Sequence, residues 1–158
     1  MIDPVLGELY DFFEGKYPNK PLWQVEVQTR VFKELLLVQF EGKKEQGLTP
    51  ELKQALDLFL EHQEQYKQLA LERLLFDYQT MIVPYFRESE DVVDQGLAPN
   101  VQNVAELEGL LRLPVLTLHN ANSWGLEFEC TWDEDHGAGV FFENGQVTRA
   151  GDGASAQM

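Results

Sequence analysis

The most constraining stretch of this chain is its alternation between residues 126 and 133. Leu126, Phe128, Cys130 and Trp132 occupy every second position, and Glu127, Glu129, Thr131 and Asp133 lie between them. Successive strand side chains point to opposite faces, so this pattern builds a strand with one apolar and one polar face. Apolar residues resume at Val140, Phe141 and Phe142. Asn144-Gly145 then supplies the residue pair best suited to a two-residue type I′ turn, leading into 146–149. The expectation is an antiparallel meander. Whatever else the chain does, it must cover the apolar side of that meander.

A second alternation lies near the N-terminus. Trp23, Val25, Val27, Thr29 and Val31 alternate with Gln24, Glu26, Gln28 and Arg30, and an apolar run broken only by Gln39 follows at 35–40. The short link between them predicts a hairpin. Thr49, Pro50 and Glu51 carry the signals of a helix start. Leu52, Ala55, Leu56, Phe59 and Leu60 form one face, 61–65 is polar, and Tyr66, Leu69, Ala70, Leu74 and Leu75 resume the stripe towards Pro84. A straight helix over all of 50–83 would span about 50 Å, too long for a domain of this size, so two helices or a bent one is expected. Asp3-Pro4, followed by Val5, Leu6, Leu9, Tyr10 and Phe13, predicts an N-terminal helix ending at Gly15. Asn103 with Glu106 predicts a short helix to about 112, stopped by Pro114 and followed by a strand over 115–119. Residues 42–47 and 88–99 read as polar loops. The resulting fold class is α+β: an antiparallel sheet, from the N-terminal hairpin and the C-terminal meander, packed with a long helical segment and short helices. It forms one domain over 1–151, and the small, polar residues 152–158 predict a disordered tail.

Composition narrows the function. The 158 residues include 27 acids and 12 bases, a net charge of -15, which repels a phosphate backbone and argues against nucleic-acid binding. The same field would speed encounter with a basic protein partner, although solubility alone also accounts for an acidic total. Acids crowd the C-terminal part, where Glu127, Glu129, Asp133, Glu134, Asp135, Glu143 and Asp152 face a single base, Arg149. Cys130 is the only cysteine, so no disulfide can form within the chain, which favours a reducing compartment. The first fifteen residues lack the pattern of a signal peptide, and no apolar run reaches the roughly 18 residues of a membrane span. A cytoplasmic location is expected, with no membrane contact.

The candidate site is the run Trp132-Asp133-Glu134-Asp135-His136-Gly137. Carboxylates and imidazole suit Mn, Fe or Zn, so Asp133, Glu134, Asp135 and His136 are metal candidates, with His119 or Glu127 able to complete a set. The structural alternative has Asp133 accepting backbone N–H groups in a turn, Gly137 supplying a positive φ and Trp132 anchoring the strand end. That alternative is preferred, because the run lacks the fixed ligand spacing of a zinc site, and no cofactor is expected. Cys130 could be a nucleophile with His136 or His119 as base, but its place on the apolar face makes it a small core hydrophobe. His62 sits in the polar patch between helical stripes and reads as a solvated surface residue. Trp23 and Trp124 read as core. Phosphate loops, nucleophile elbows, HExxH and paired CxxC motifs are absent, so no catalytic residue is assigned.

The stretch Cys130-Thr131-Trp132-Asp133-Glu134-Asp135-His136-Gly137-Ala138-Gly139-Val140 resembles the end of an uncharacterised bacterial domain family with the pattern C-x-W-D-x-E-H-G-x-G-V. Asp135 stands where that pattern has Glu, keeping the charge and shortening the reach. The outline covers roughly residues 20–151. Some relatives look like immunity or accessory proteins of bacterial toxin systems, and the resemblance implies no catalytic residue. The function expected is a protein-binding or immunity-type module that meets its partner through an acidic surface including Glu127 and Glu129. The alternatives are a small metal-dependent hydrolase built on residues 133–136, and a regulatory or structural subunit without a site.

Overall fold

A computed structural model of the chain describes residues 1–43, 46–89 and 96–158. Parts of the two expected polar loops, at 44–45 and 90–95, lie outside the described residues. The chain forms a seven-stranded sheet whose spatial order follows the sequence: β3 (Tyr10–Asp11), β4 (Leu22–Val27), β5 (Leu36–Glu41), β6 (Leu111–Asn120), β7 (Ser123–Cys130), β8 (Asp133–Glu143) and β9 (Gln146–Gly151). β1 (Ile2–Asp3) and β2 (Gly7–Glu8) form a separate two-stranded ribbon. The N-terminal hairpin and the C-terminal meander join through one parallel pairing, β5 with β6, in register from Leu37 with Val115 to Phe40 with Leu118. All other neighbours are antiparallel. The architecture is α+β, as the alternations indicate.

Helices cover one face. α1 (Pro50–Glu61) begins at Thr49, whose hydroxyl accepts the N–H of Leu52. It stops at His62, and α2 (Gln63–Asp77) continues in a new direction. The break is held from outside: Gln63, 3% exposed, accepts the Arg30 N–H through Oε1 and donates to the Leu60 carbonyl. A π-helical turn (Tyr78–Ile82) and α3 (Val83–Arg87) follow. Pro84 explains the wide turn, since its ring would clash with a carbonyl four residues back and it has no N–H to donate. The Val83 N–H reaches the Tyr78 carbonyl instead. α4 (Val104–Glu108) starts at Asn103, whose side chain accepts the Glu106 N–H. Among the described residues no helix is long and apolar enough to cross a membrane.

The core lies between these helices and the inner sheet face. Trp124, Leu126, Phe128 and Cys130 of β7 point inward beside Leu116 and Leu118 of β6 and Val140 and Phe142 of β8. Tyr66 of α2 sits edge-on to Trp124 and Phe142, with ring centroids at 5.1 and 5.6 Å.

Four expectations are corrected. The first is the N-terminal helix: residues 1–15 form β1 to β3 and tight turns. Asp3 does cap, but it caps a turn, accepting the N–H groups of Val5 and Leu6, and across the fold that of Leu48. The second is the inward row, which ends at Cys130. Thr131 and Trp132 form the β7–β8 turn, and Trp132 is only half-buried. The third is Pro114, which does not stop a helix but sits inside β6 at a register shift, next to Leu113 with a φ of 53°.

The fourth correction is the tail from residue 152. Asp152 caps a 3-10 turn (Gly153–Ala156) laid across the outer sheet face, burying Gly153 and Ala156. Two glycines admit it. A Cβ on Gly125 would stand 1.8 Å from the Ala156 carbonyl oxygen, and one on Gly139 2.9 Å from that of Asp152.

Candidate functional site

The Asp133–Gly137 run opens β8 and separates two concavities. Its backbone follows from its own residues. Asp133 Oδ1 accepts the His136 N–H at 3.2 Å and meets His136 Nδ1 at 2.9 Å, and Gly137 takes a φ of 69°. Both features match the turn-forming alternative. The His136 ring is exposed, and its hydrogen bond to Asp133, with the charges of Asp133, Asp135 and Asp152 around it, raises its pKa. Glu134 and Asp135 are exposed and join neither partner. Among the described residues no three His, Cys, Asp or Glu side chains are grouped to hold a metal. The structure therefore brings together Asp133 and His136 but not the four-residue set.

The two other expected partners lie apart from that pair. His119 Nε2–H donates to the Ala156 carbonyl at 2.9 Å under the C-terminal turn, and burial lowers its pKa. Cys130 is buried, with its thiol 3.5 Å from the Asp133 carbonyl, and burial pushes its pKa up to about 11. A thiol so protonated and covered is a core group, not a nucleophile.

The first concavity, about 440 Å³, lies on the outer sheet face. Leu35, Leu37, Leu113 and Val115 form an apolar strip, and Glu26, Glu127, Glu129, Glu134 and Asp135 surround it. Glu127 is half-buried. Burial raises its pKa, partly offset by the hydrogen bond that Gln157 Nε2 donates at 3.1 Å. Gln157 also reaches Thr117, which accepts from Gln39, which in turn accepts from Gln24. This ladder runs across the outer face from β4 to β7. Glu129 is paired with Arg112 at 2.9 Å on the rim, where both are exposed. Alternation placed Glu127 and Glu129 on one face of the strand, but Glu26 reaches the same groove only because the hairpin and meander share a sheet.

The second concavity, about 530 Å³, lies on the helix side of the same run. Trp132 meets Tyr78 there, with centroids 4.9 Å apart and planes at 60°. Tyr78 is fully buried, its hydroxyl donates to the Pro99 carbonyl, and burial raises its pKa to about 12. Met81, Tyr85 and Phe86 complete an apolar wall, and Asp77 lies beside them. Sequence reasoning missed Asp77. The available signal was its position on the buried stripe of α2, three residues after Leu74.

No curated protein and no solved structure matches this chain. A domain of unknown function, DUF6985, does match over residues 12–156, taking in the whole seven-stranded sheet apart from β3 and all of the C-terminal turn, and the chain belongs to that family.

Proposed function

We propose that this chain is a protein-binding, immunity-type module of the bacterial cytoplasm, and that it takes a basic segment of a protein partner in the outer-face groove. The observation that carries this reading is the groove itself: five carboxylates around an apolar strip, with no lysine or arginine among the lining residues. Apolar stems of Lys or Arg would cover the leucines while their charges meet the glutamates. Glu127 supports the reading most directly, because a half-buried carboxylate gains more from an incoming cation than a solvated one. The net charge of -15 would steer such a partner from a distance.

The test is a partner recovered by pull-down, followed by association rates against ionic strength for wild type and for Glu127→Gln with Glu129→Gln. The reading expects association that slows with salt and slows further in the double variant. A partner whose association ignores both salt and these glutamates refutes it. The catalytic alternative, a small metal-dependent hydrolase, rests on the Asp133–His136 pair.

A further inference from the structure

The strand register sets two carboxylates of the outer groove at a fixed spacing. Glu26 of β4 stands opposite Leu37 of β5, Leu37 opposite Val115 of β6, and Val115 opposite Glu127 of β7. Residues opposite one another in a sheet share a face, so these four form one transverse row of carboxylate, aliphatic, aliphatic and carboxylate. Both ends of the row are bounded. β3 pairs with β4 only at Trp23 and Gln24, so among the described residues no strand extends the row past Glu26. Past Glu127 the row meets Gly139, where the C-terminal turn lies on the sheet: a Cβ there would stand 2.9 Å from the Asp152 carbonyl oxygen. Among the described residues neither Glu26 nor Glu127 forms an ion pair, whereas Glu129 is held by Arg112. Leu37 and Val115 are half-buried, and Leu35 and Leu113 in the same groove are 50% and 47% exposed, so its middle keeps apolar surface in water.

Three strand spacings separate the two glutamates, about 14 Å. An extended chain covers that distance in about four residues, and its side chains at i, i+2 and i+4 point the same way. A helix does not match it: at about 1.5 Å per residue the same reach takes about nine residues, which puts the two ends on opposite helix faces. We infer that the groove takes an extended segment laid across the strands, with basic side chains at i and i+4 over Glu26 and Glu127 and an apolar one at i+2 over Leu37 and Val115. The inference rests on the basic-segment reading and gives that segment its conformation and its spacing. Two weak ion pairs at one separation select for that separation, because a chain with another spacing reaches only one of them without strain.

The experiment is NMR titration of the full chain at low salt with short acetylated, amidated peptides of one composition. Each holds two arginines, with a leucine between them, in a serine and threonine background, and the arginines stand two, four or seven positions apart. An alanine-rich helical peptide with arginines seven positions apart is the fourth probe. The four-position peptide should bind at least about threefold tighter than the others and shift the methyl resonances of Leu37 and Val115. Glu26→Gln changes an exposed side chain, leaves a single anchor and should abolish the preference, and Glu127→Gln should do the same from the other end. Glu51→Gln, which removes the same charge from the exposed start of α1, should keep it. Salt-sensitive binding that is equal at all spacings, or a preference that survives Glu26→Gln, overturns the inference and leaves the basic-segment reading standing. Tighter binding of the helical peptide overturns it and assigns a helix instead. Failure of every peptide to shift the groove resonances overturns the inference and the basic-segment reading together.

Discussion

Substituting Gly125 by alanine tests how the C-terminal turn is seated. The three atoms nearest the added Cβ are all Ala156 backbone, at 1.8, 2.5 and 2.7 Å, so no side chain can swing aside. Gly125 has no positive φ, and the added cost is therefore collision alone. Overfilling a packed site costs about 1–3 kcal/mol when the structure yields locally. The other limit is release of the turn, which loses the His119–Ala156, Gln157–Glu127, Gln157–Thr117, Arg149–Ser155 and Arg149–Gln157 hydrogen bonds. At roughly 1 kcal/mol net for each, that limit is about 5 kcal/mol. The cheaper route sets the cost, so a destabilisation of about 1–3 kcal/mol is expected, a fall in Tm of about 2–12 °C for a chain of this length. Urea unfolding of Gly125→Ala, in the full chain and in a variant ending at Asp152, is the assay. The substitution should cost less than about 0.5 kcal/mol once the turn is absent. An equal cost in both backgrounds would refute the seating of the turn on Gly125.

Two further outcomes follow from titratable groups. Burial alone would raise the Asp3 pKa, but the N–H donors of Leu48, Leu6 and Val5 outweigh it and hold the carboxyl below its ordinary value of 3.8. A depressed folded pKa means the stabilisation is fully present above the unfolded value and fades as pH falls through the folded one. The stability gap between wild type and Asp3→Asn should therefore narrow as pH drops below 3.8, and a gap that is flat from pH 7 to 3 contradicts it. Cys130, its thiol raised to about 11 by burial, should resist iodoacetamide at pH 8 in the native protein and react once per chain in guanidinium chloride. Native labelling at the rate of a free thiol would place it outside the core.

The periodic parts of the fold were legible because their period is enforced by burial. β7 shows it from Leu126 to Cys130, and Asn144 and Gly145, with φ of 52° and 78°, form the turn their side chains demand. The N-terminus misled for a physical reason. Asp3-Pro4 followed by spaced apolar residues satisfies a helix start, yet the same carboxylate can cap a turn, and strands of two residues are too short to show a period of two. Residues 152–158 look like a tail because they are small and polar. Small size is also what lets Ala156 lie against Gly125 and Gly139, and Gly153 against the His136 carbonyl, a match between separate segments. Of the site, Asp133, His136 and Gly137 were visible as turn chemistry. Glu26 and Asp77 were not, since their roles arise only when β4 is brought towards β7 and α2 onto the β7–β8 turn.

The parallel seam between β5 and β6 has a consequence for how the chain reaches this state. Every other strand pairing in the large sheet joins sequence neighbours and can form from nearby chain. Pairing Leu37 with Val115 must close a loop that contains α1 to α4. Loop closure costs entropy before it returns contacts, and the cost grows only slowly with loop length. Hairpin and meander can each assemble early as local units, and the helices then serve as the clasp that brings them edge to edge. Topology alone therefore makes closure of this seam the expected slow step, and refolding rates should fall more for substitutions at Val38 or Leu116 than for those within either half.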